Sequence, residues 1–550
     1  MISTMMDVPL SLNHLLDRAG TIFPGGQIVS RLPDKSLRRH SYAQYHRRTR
    51  ALGSALQTLG LRKGERVATL CWNHHAHLEA YFGIPAAGGV MHTLNLRLSP
   101  EEIGWIAGNA KDRFLIVDDI LLPLYRQFAS LHAFEKVIVF PFSGAPVPDG
   151  FVDYEVLLAD ADPDAFEYAA HAETDPISMC YTSGTTGRAK GVVYSHRSTV
   201  LHTLVASLGD YAGLRSTDTV LPVTPMFHAN CWGIPYAALM VGAKLVFPGP
   251  HLHPEDLLDL MRLEPPTLSL GVPTIWMSLI QLYERGLTEQ PGRWVLPQGM
   301  RSLVGGAAVP DALIRAFARH GVWLLQAWGM TETSPVATFS YLRGELKDAG
   351  DEERYRRAAM AGVPVPLVDL RIRSEDGHDA PWDGKAMGEV QVRGPYITGS
   401  YHQVPVSEDK FTADGWLRTG DLGFMDERGY FRITDRKKDI IVVSGFKVFP
   451  NQIEDVVALH PGVAEVAAIG VRDDKSGEVV KIVVLKKDPA LTEQALLEHC
   501  RQHLTGYKMP KIVEFRSEPL PKSNIGKILR RELRHAAAPA NAASPPVASY

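Results

Sequence analysis

Short, wholly apolar runs alternate with helical segments, and the texture changes in the last third of the chain. Together these predict an α/β protein: a large N-terminal domain of two helix-covered, mostly parallel sheets with a small β-barrel, then an α+β C-terminal domain. At 550 residues the chain exceeds one hydrophobic core and requires two to four folding units. With 58 basic against 61 acidic side chains and 45% hydrophobic residues, it is an ordinary globular chain. It is not a disordered one, and it lacks the basic excess of a nucleic-acid binder.

Residues 41–60 place Tyr42, Tyr45, Leu52, Ala55, Leu56 and Leu59 at helical spacing and stop at Gly60. GERVATLCW (64–72) then reads as a buried strand, and HLEAYFGIPAAGGV as a helix running into glycines. RFLIVDD (113–119) and KVIVF (136–140) are further buried strands, and the alternation continues through LSLGVPT (268–274), RSLVGG (301–306) and VWLLQAWG (322–329). After about residue 366, VDLRIRS, GEVQVRGP and GYFRITD alternate with period two between Gly, Asp and Pro, as an antiparallel meander or small barrel does. From about Arg436 the chain switches to a unit with a helix at NQIEDVVALH and strands at VAEVAAIGV and VVKIVVLKK. Residues 536–550, AAAPANAASPPVASY, lack charge and aliphatic periodicity and read as a disordered tail.

Cys71, Cys180, Cys231 and Cys500 are far apart, with no metal-ligand or redox spacing, so a reducing cytoplasmic setting is expected. The N-terminus carries Asp7 early and has no basic region before an apolar run, unlike a signal peptide. The uncharged stretch from Ala229 to Ala243 is interrupted by Asn230, Gly233 and Pro235 and falls short of the roughly 20 residues that cross a bilayer. At most, peripheral membrane contact is expected.

The most informative segment is Tyr181-Thr182-Ser183-Gly184-Thr185-Thr186-Gly187-Arg188-Ala189-Lys190-Gly191. Its hydroxyls, glycines and cations suit a loop that turns N–H groups and hydroxyls onto phosphate oxygens, with Lys190 supplying charge. No Gly-Lys-Ser/Thr closes it, so it is not a Walker A loop. A flexible surface loop has the same composition, but the strand-like flanks PISMCYT and VVYSH favour a hairpin cradle.

This segment resembles the phosphate loop of the adenylate-forming superfamily, which includes acyl-CoA synthetases, firefly luciferase and nonribosomal adenylation domains. The resemblance continues in order through PMFHAN (225–230), GGAAVP (305–310), QAWGMTET (326–333), GEVQVRGP (388–395), RTGDLG (418–423), DRKKDIIVVSGFKVFPNQIED (435–455) and PKSNIGKILRREL (521–533). It implies an N-terminal domain over 1–435 that binds acid and ATP, and a mobile C-terminal domain over 436–535.

The chemistry implied is ATP-dependent activation of a carboxylate as acyl-AMP, then attack by a thiol, with Mg²⁺ and with ATP and CoA as co-substrates. Thr182 to Gly187 and Lys190 would bind the phosphates, and Glu332 with Thr182 the Mg²⁺. Gly306, Ala307, Gln326, Ala327, Trp328, Gly329, Met330 and Thr331 would line the nucleotide slot. Asp421, with Ile433 and Arg436 nearby, would hold the ribose. Lys527 would reach the substrate carboxylate and the α-phosphate, and Lys438 would be the hinge between half-reactions. Gly445 would face the pantetheine channel, where only a glycine lets the chain lie close, and Lys447 would meet a CoA phosphate, a solvated lysine being an equal alternative. Read alone, Glu332 fits a helix N-cap better, Asp421 ordinary turn chemistry, Trp328 core, and Lys527 one surface lysine among several.

The acid site is expected at His228, Trp232, Gly305, Gly329 and Pro335. Trp232 matches a tryptophan that closes the acyl tunnel of medium- and long-chain fatty acyl-CoA ligases, and an alkyl chain gains roughly 0.8 kcal/mol per buried CH₂ in such a tube. A helix packing Trp232, Tyr236 and Leu239 into the core explains the same residues equally well. The segments from SGFKVFP onward instead resemble bacterial long-chain acyl-CoA synthetases. Short methylthio acids, aryl acids and a carrier protein as acceptor are the alternatives, and a homodimer is compatible with the resemblance.

Overall fold

The computed structural model describes residues 3–182, 188–473, 475–504, 506–522 and 528–537, with Arg531 and His535 described in backbone only. The chain divides into two compact units. The first comprises residues 1–370, 392–417 and 429–431, and the second residues 371–391, 418–428 and 432–550.

In the first unit, a seven-stranded sheet runs in the order Val152–Asp153, Lys136–Phe140, Asp112–Asp118, Arg66–Leu70, Val90–Thr93, Pro176–Tyr181, Gly191–Ser195. All its pairings are parallel except the last. Phe114, Leu115, Ile116 and Val117 are consecutive and all fully buried, so this strand is covered on both faces.

The second, nine-stranded sheet has the order Val363–Pro364, Val336–Phe339, Trp323–Gly329, Arg301–Val304, Leu268–Gly271, Thr219–Pro222, Lys244–Phe247, Gln27–Arg31, Leu37–Ser41. It is parallel in the middle and antiparallel at both ends. Helices Pro254–Leu263, Pro273–Glu289 and Asp311–Ala318 pack Leu257, Trp276 and Phe317 into its core.

The helix expected over 41–60 is Tyr42–Thr58. Ser41 and Gln44 close a capping box at its start, and Gly60 lies in the left-handed region just past its end.

In the second unit, strands Asp369–Arg373, Gly388–Arg393, Leu417–Met425 and Phe431–Arg436, which carry most of their residues there, lie side by side in sequence order. This is the meander of the two arrangements expected for the region. A five-stranded sheet follows, in which Val463–Asp473 pairs with Gly477–Lys486 along its length and Ile512–Arg516 joins in parallel. Helices Pro450–Ala458 and Glu493–His503 cover it through Ile453, Val457, Leu496 and Cys500. Among the described residues, no helix is long and apolar enough to cross a membrane.

Candidate active site

Strands Pro176–Tyr181 and Gly191–Ser195 form an antiparallel hairpin that ends at the pair Tyr181 and Gly191. Beyond that pair, Thr182 N donates to Lys190 O (2.9 Å) and Lys190 N donates to Thr182 Oγ1 (3.1 Å). The hairpin expected from the flanks is present, and it anchors both ends of the hydroxyl and glycine run. Ser183 to Gly187 themselves lie outside the described residues.

The Lys190 ammonium sits 4.9 Å from the centre of the Tyr401 ring, and the Tyr401 hydroxyl donates to Glu332 Oε1 at 2.7 Å. Burial and the Glu332 carboxylate raise the phenol's pKa well above its ordinary value, so Tyr401 stays protonated and remains a donor. Glu332 is only 6% exposed and sits in the 3₁₀ turn Thr331–Thr333 rather than at a helix N-cap. Its main-chain oxygen accepts from Thr398 N (2.8 Å), and the Tyr194 hydroxyl donates to Thr331 O (2.7 Å). The carboxylate is thus fixed on one oxygen by a neutral donor. Hard oxygen donors of this kind, Glu332 and Thr182, suit Mg²⁺, which takes few protein ligands.

Gly306 and Ala307 follow strand Arg301–Val304 and are exposed small residues. Gln326 to Gly329 end the neighbouring strand Trp323–Gly329, and Gln326 Oε1 accepts from Val309 N (3.3 Å). Trp328 is 7% exposed and packs edge-on against Phe431 at 5.3 Å, so most of its ring is ordinary core. A Cβ at Gly329 would lie 1.6 Å from Pro335 O, so no larger residue fits there.

Trp232 is not on a helix. It is the fourth residue of a left-handed turn over Ala229–Gly233, and the helix Ile234–Val241 begins after that turn. Its ring helps line a small apolar cavity with Ala327, Leu303, Phe339, Val365 and His202. A Cβ at Gly305 would come 3.4 Å from Trp232 Cη2, so Gly305 lies directly beside the ring. Burial pushes both His202 and His228 down to about 4, which leaves two neutral imidazoles at pH 7. His202 Nε2 accepts from Val336 N (3.4 Å). Of the expected acid-site residues only Trp232 lines this cavity; His228, Gly305, Gly329 and Pro335 are not among its lining residues.

In the second unit, Arg436 Nε lies 2.5 Å from Asp421 Oδ1. Asp421 is 2% exposed and sits within strand Leu417–Met425 rather than in a turn. Ile433 lies in strand Phe431–Arg436, and Lys438 is exposed in the 3₁₀ turn Lys437–Asp439. Ser444 and Gly445 form the two-residue turn between Ile441–Val443 and Phe446–Val448, at φ 51° and 82°. A Cβ at Gly445 would meet nothing within 4 Å, so glycine is required here by its backbone angle rather than by crowding. Lys447 pairs with Glu375. Lys527 lies outside the described residues.

Sequence reasoning missed Tyr401, His202, Tyr194 and Asn230. Tyr401 follows the GEVQVRGP motif by a few residues, and Asn230 closes the PMFHAN motif itself, so both were marked by position if not by role.

A family model described as AMP-binding enzyme matches residues 18–402, and one described as AMP-binding enzyme C-terminal domain matches residues 452–527. A long-chain-fatty-acid–CoA ligase of Thermus thermophilus is 42% identical over 535 residues, 97% of this chain and 96% of that protein. A 3-methylmercaptopropionyl-CoA ligase of Ruegeria lacuscaerulensis is 38% identical, with 97% and 98% covered. Among solved structures, an anthranilate CoA ligase in complex with anthranoyl-AMP superposes with a TM-score of 0.82 at 26% identity, with 96% of this chain and 98% of that chain covered. Kinship of this depth along nearly the whole length places the chain: it belongs to the AMP-binding enzyme family, as an AMP-forming acid–thiol ligase of the acyl-CoA synthetase type.

Proposed function

We propose that the acid activated by this ligase is a medium- to long-chain fatty acid, joined to CoA through an acyl adenylate. The observation that carries this reading is the small cavity beside Trp232, lined almost wholly by apolar side chains. An apolar wall of this kind rewards each added methylene. The 42% identical ligase, named for long-chain fatty acids, points the same way.

In the first half-reaction a carboxylate oxygen of the acid attacks the α-phosphorus of ATP, and pyrophosphate leaves. Thr182 to Gly187 and Lys190 hold the phosphates, and Lys527 bridges carboxylate and α-phosphate. Glu332 and Thr182 would hold Mg²⁺, which when bound offsets phosphate charge. Tyr401 keeps Glu332 in one orientation through its hydroxyl. Gly306 and Ala307, with Gln326, Ala327, Trp328, Gly329, Met330 and Thr331, border the purine, while Asp421 accepts from the ribose hydroxyls beside Arg436 and Ile433. His228, neutral at pH 7, borders the reacting carboxylate without adding a positive charge.

In the second half-reaction the CoA sulfur attacks the acyl carbonyl and AMP departs. The domain over 436–535 changes orientation about Lys438 to admit the thiol, Gly445 borders the pantetheine, and Lys447 meets a CoA phosphate.

The test is acid-dependent pyrophosphate release with ATP, Mg²⁺ and CoA, over straight-chain acids from acetate to palmitate together with cinnamate and a methylthio acid. Turnover is expected to peak between hexanoate and palmitate. Turnover restricted to the methylthio or aryl acids would retain the ligase and overturn the fatty-acid assignment.

A further inference from the structure

Five consecutive residues, Ala229, Asn230, Cys231, Trp232 and Gly233, have positive φ, at 42°, 51°, 53°, 57° and 72°. Four of them carry side chains, and the left-handed conformation crowds the Cβ of an L-residue against the following carbonyl oxygen. A run of this length persists only where its surroundings hold it. Three side-chain hydrogen bonds do so. Cys231 Sγ donates to Thr224 O at 3.1 Å, Asn230 Nδ2 donates to Ser178 Oγ at 2.9 Å, and Asn230 Oδ1 accepts from Cys180 Sγ at 3.3 Å.

Asn230 is the pivotal member. It is 5% exposed, and both ends of its amide are satisfied by one strand, Pro176–Tyr181. Asparagine is also among the few residues other than glycine that visit the left-handed region readily. The backbone that Asn230 fixes leads, two residues on, to Trp232, whose ring forms part of the cavity wall and lies beside Gly305. On the far side of the turn, a Cβ at Gly233 would lie 2.7 Å from His202 Nδ1, so the turn has no room to slide toward that ring.

We propose that Asn230 is the positioning residue that sets the depth of the acyl cavity, by tying the left-handed turn that carries Trp232 to the strand Pro176–Tyr181. Asn230 is not among the residues lining the cavity; it acts through the position of Trp232. The inference rests on the reading of this cavity as the acyl site.

Two variants separate positioning from plain stability. Asn230→Gly keeps the backbone freedom and removes both amide hydrogen bonds, whereas Ser178→Ala removes one of them from the strand side and leaves the turn's sequence intact. Each is compared with the parent enzyme for KM and kcat across straight-chain acids of graded length, for KM of ATP, and for Tm. The expected result is a shift in the ratio of KM values between shorter and longer acids by about fourfold, the worth of one buried methylene. The shift has the same direction in both variants, and KM for ATP changes by less than about twofold. A lower Tm with an unchanged length profile overturns the inference and leaves Asn230 a buried amide that serves stability alone. If the parent enzyme releases no pyrophosphate with any straight-chain acid, the fatty-acid assignment falls by itself. Calorimetric binding of the aryl and methylthio acids to the same variants then decides the inference, because a changed selectivity supports it and an unchanged one overturns it.

Discussion

Tyr401 stands between a cation and an anion, with Lys190 over its ring and Glu332 on its hydroxyl. A hydrogen bond to a charged group is worth about 1.5–3 kcal/mol net, and this one holds the carboxylate proposed to carry Mg²⁺. Tyr401→Phe keeps the ring under Lys190 and removes only the hydroxyl. Single-turnover formation of acyl-AMP is expected to slow by roughly 10–100-fold, with a higher Mg²⁺ requirement. Reaction of preformed acyl-AMP with CoA is expected to change little. Equal loss of both steps would show that Tyr401 does not act through Glu332. Little in the sequence marks this contact: the two residues are 69 positions apart, and a tyrosine in a polar segment has no periodicity to betray it.

Among the elements, the hairpin of Pro176–Tyr181 and Gly191–Ser195 was legible because apolar runs flank a segment of glycines and hydroxyls, and the helix Tyr42–Thr58 because its cap and its stop are written locally. The turn over Ala229–Gly233 was not. Four L-residues with positive φ follow no local preference, and only the tertiary partners Ser178, Cys180 and Thr224 make the conformation tenable. Helical spacing of Trp232 with Tyr236 and Leu239 was therefore a reasonable but incorrect pattern for the first of them. The Ser444-Gly445 turn offers an element-scale test. Gly445→Ala places a Cβ in open space but at φ 82°, and is expected to lower stability by about 1 kcal/mol. If pantetheine passes there, the CoA half-reaction slows by more than the change in Tm accounts for. A loss that merely follows Tm would place the channel elsewhere.

At the scale of the whole molecule, buried histidines make the fold sensitive to acid. Burial holds His77 and His196 down to about 3 and His202 to about 4, and pushes His75 far below its ordinary value. Each stays neutral in the folded chain but takes a proton in the unfolded chain below about pH 6.5, so acid favours unfolding. Stability from these groups is complete above pH 6.5 and falls as pH drops toward 4, with a slope of about 1.4 kcal/mol per pH unit for each. Asp435, raised to about 6 by burial, opposes this weakly between pH 4 and 6. Tm is expected to fall steeply from pH 6.5 to 5 and to stay nearly level from 7 to 8. A level Tm between 6.5 and 5 would mean that these imidazoles are charged in the native state.

The nine-stranded sheet has a consequence for how the molecule is made. Ile28 pairs with Leu245, so a segment near the start of the chain must wait for a partner far downstream. At ribosomal speeds of about 5–20 residues per second the delay is roughly 10–40 s. During that interval Gln27–Arg31 has only Leu37–Ser41 beside it, a two-stranded ribbon that is marginal by itself. Nascent chains stalled before residue 244 should therefore depend on chaperones that shield an unpaired edge, and release from them should coincide with emergence of Lys244–Phe247 from the exit tunnel.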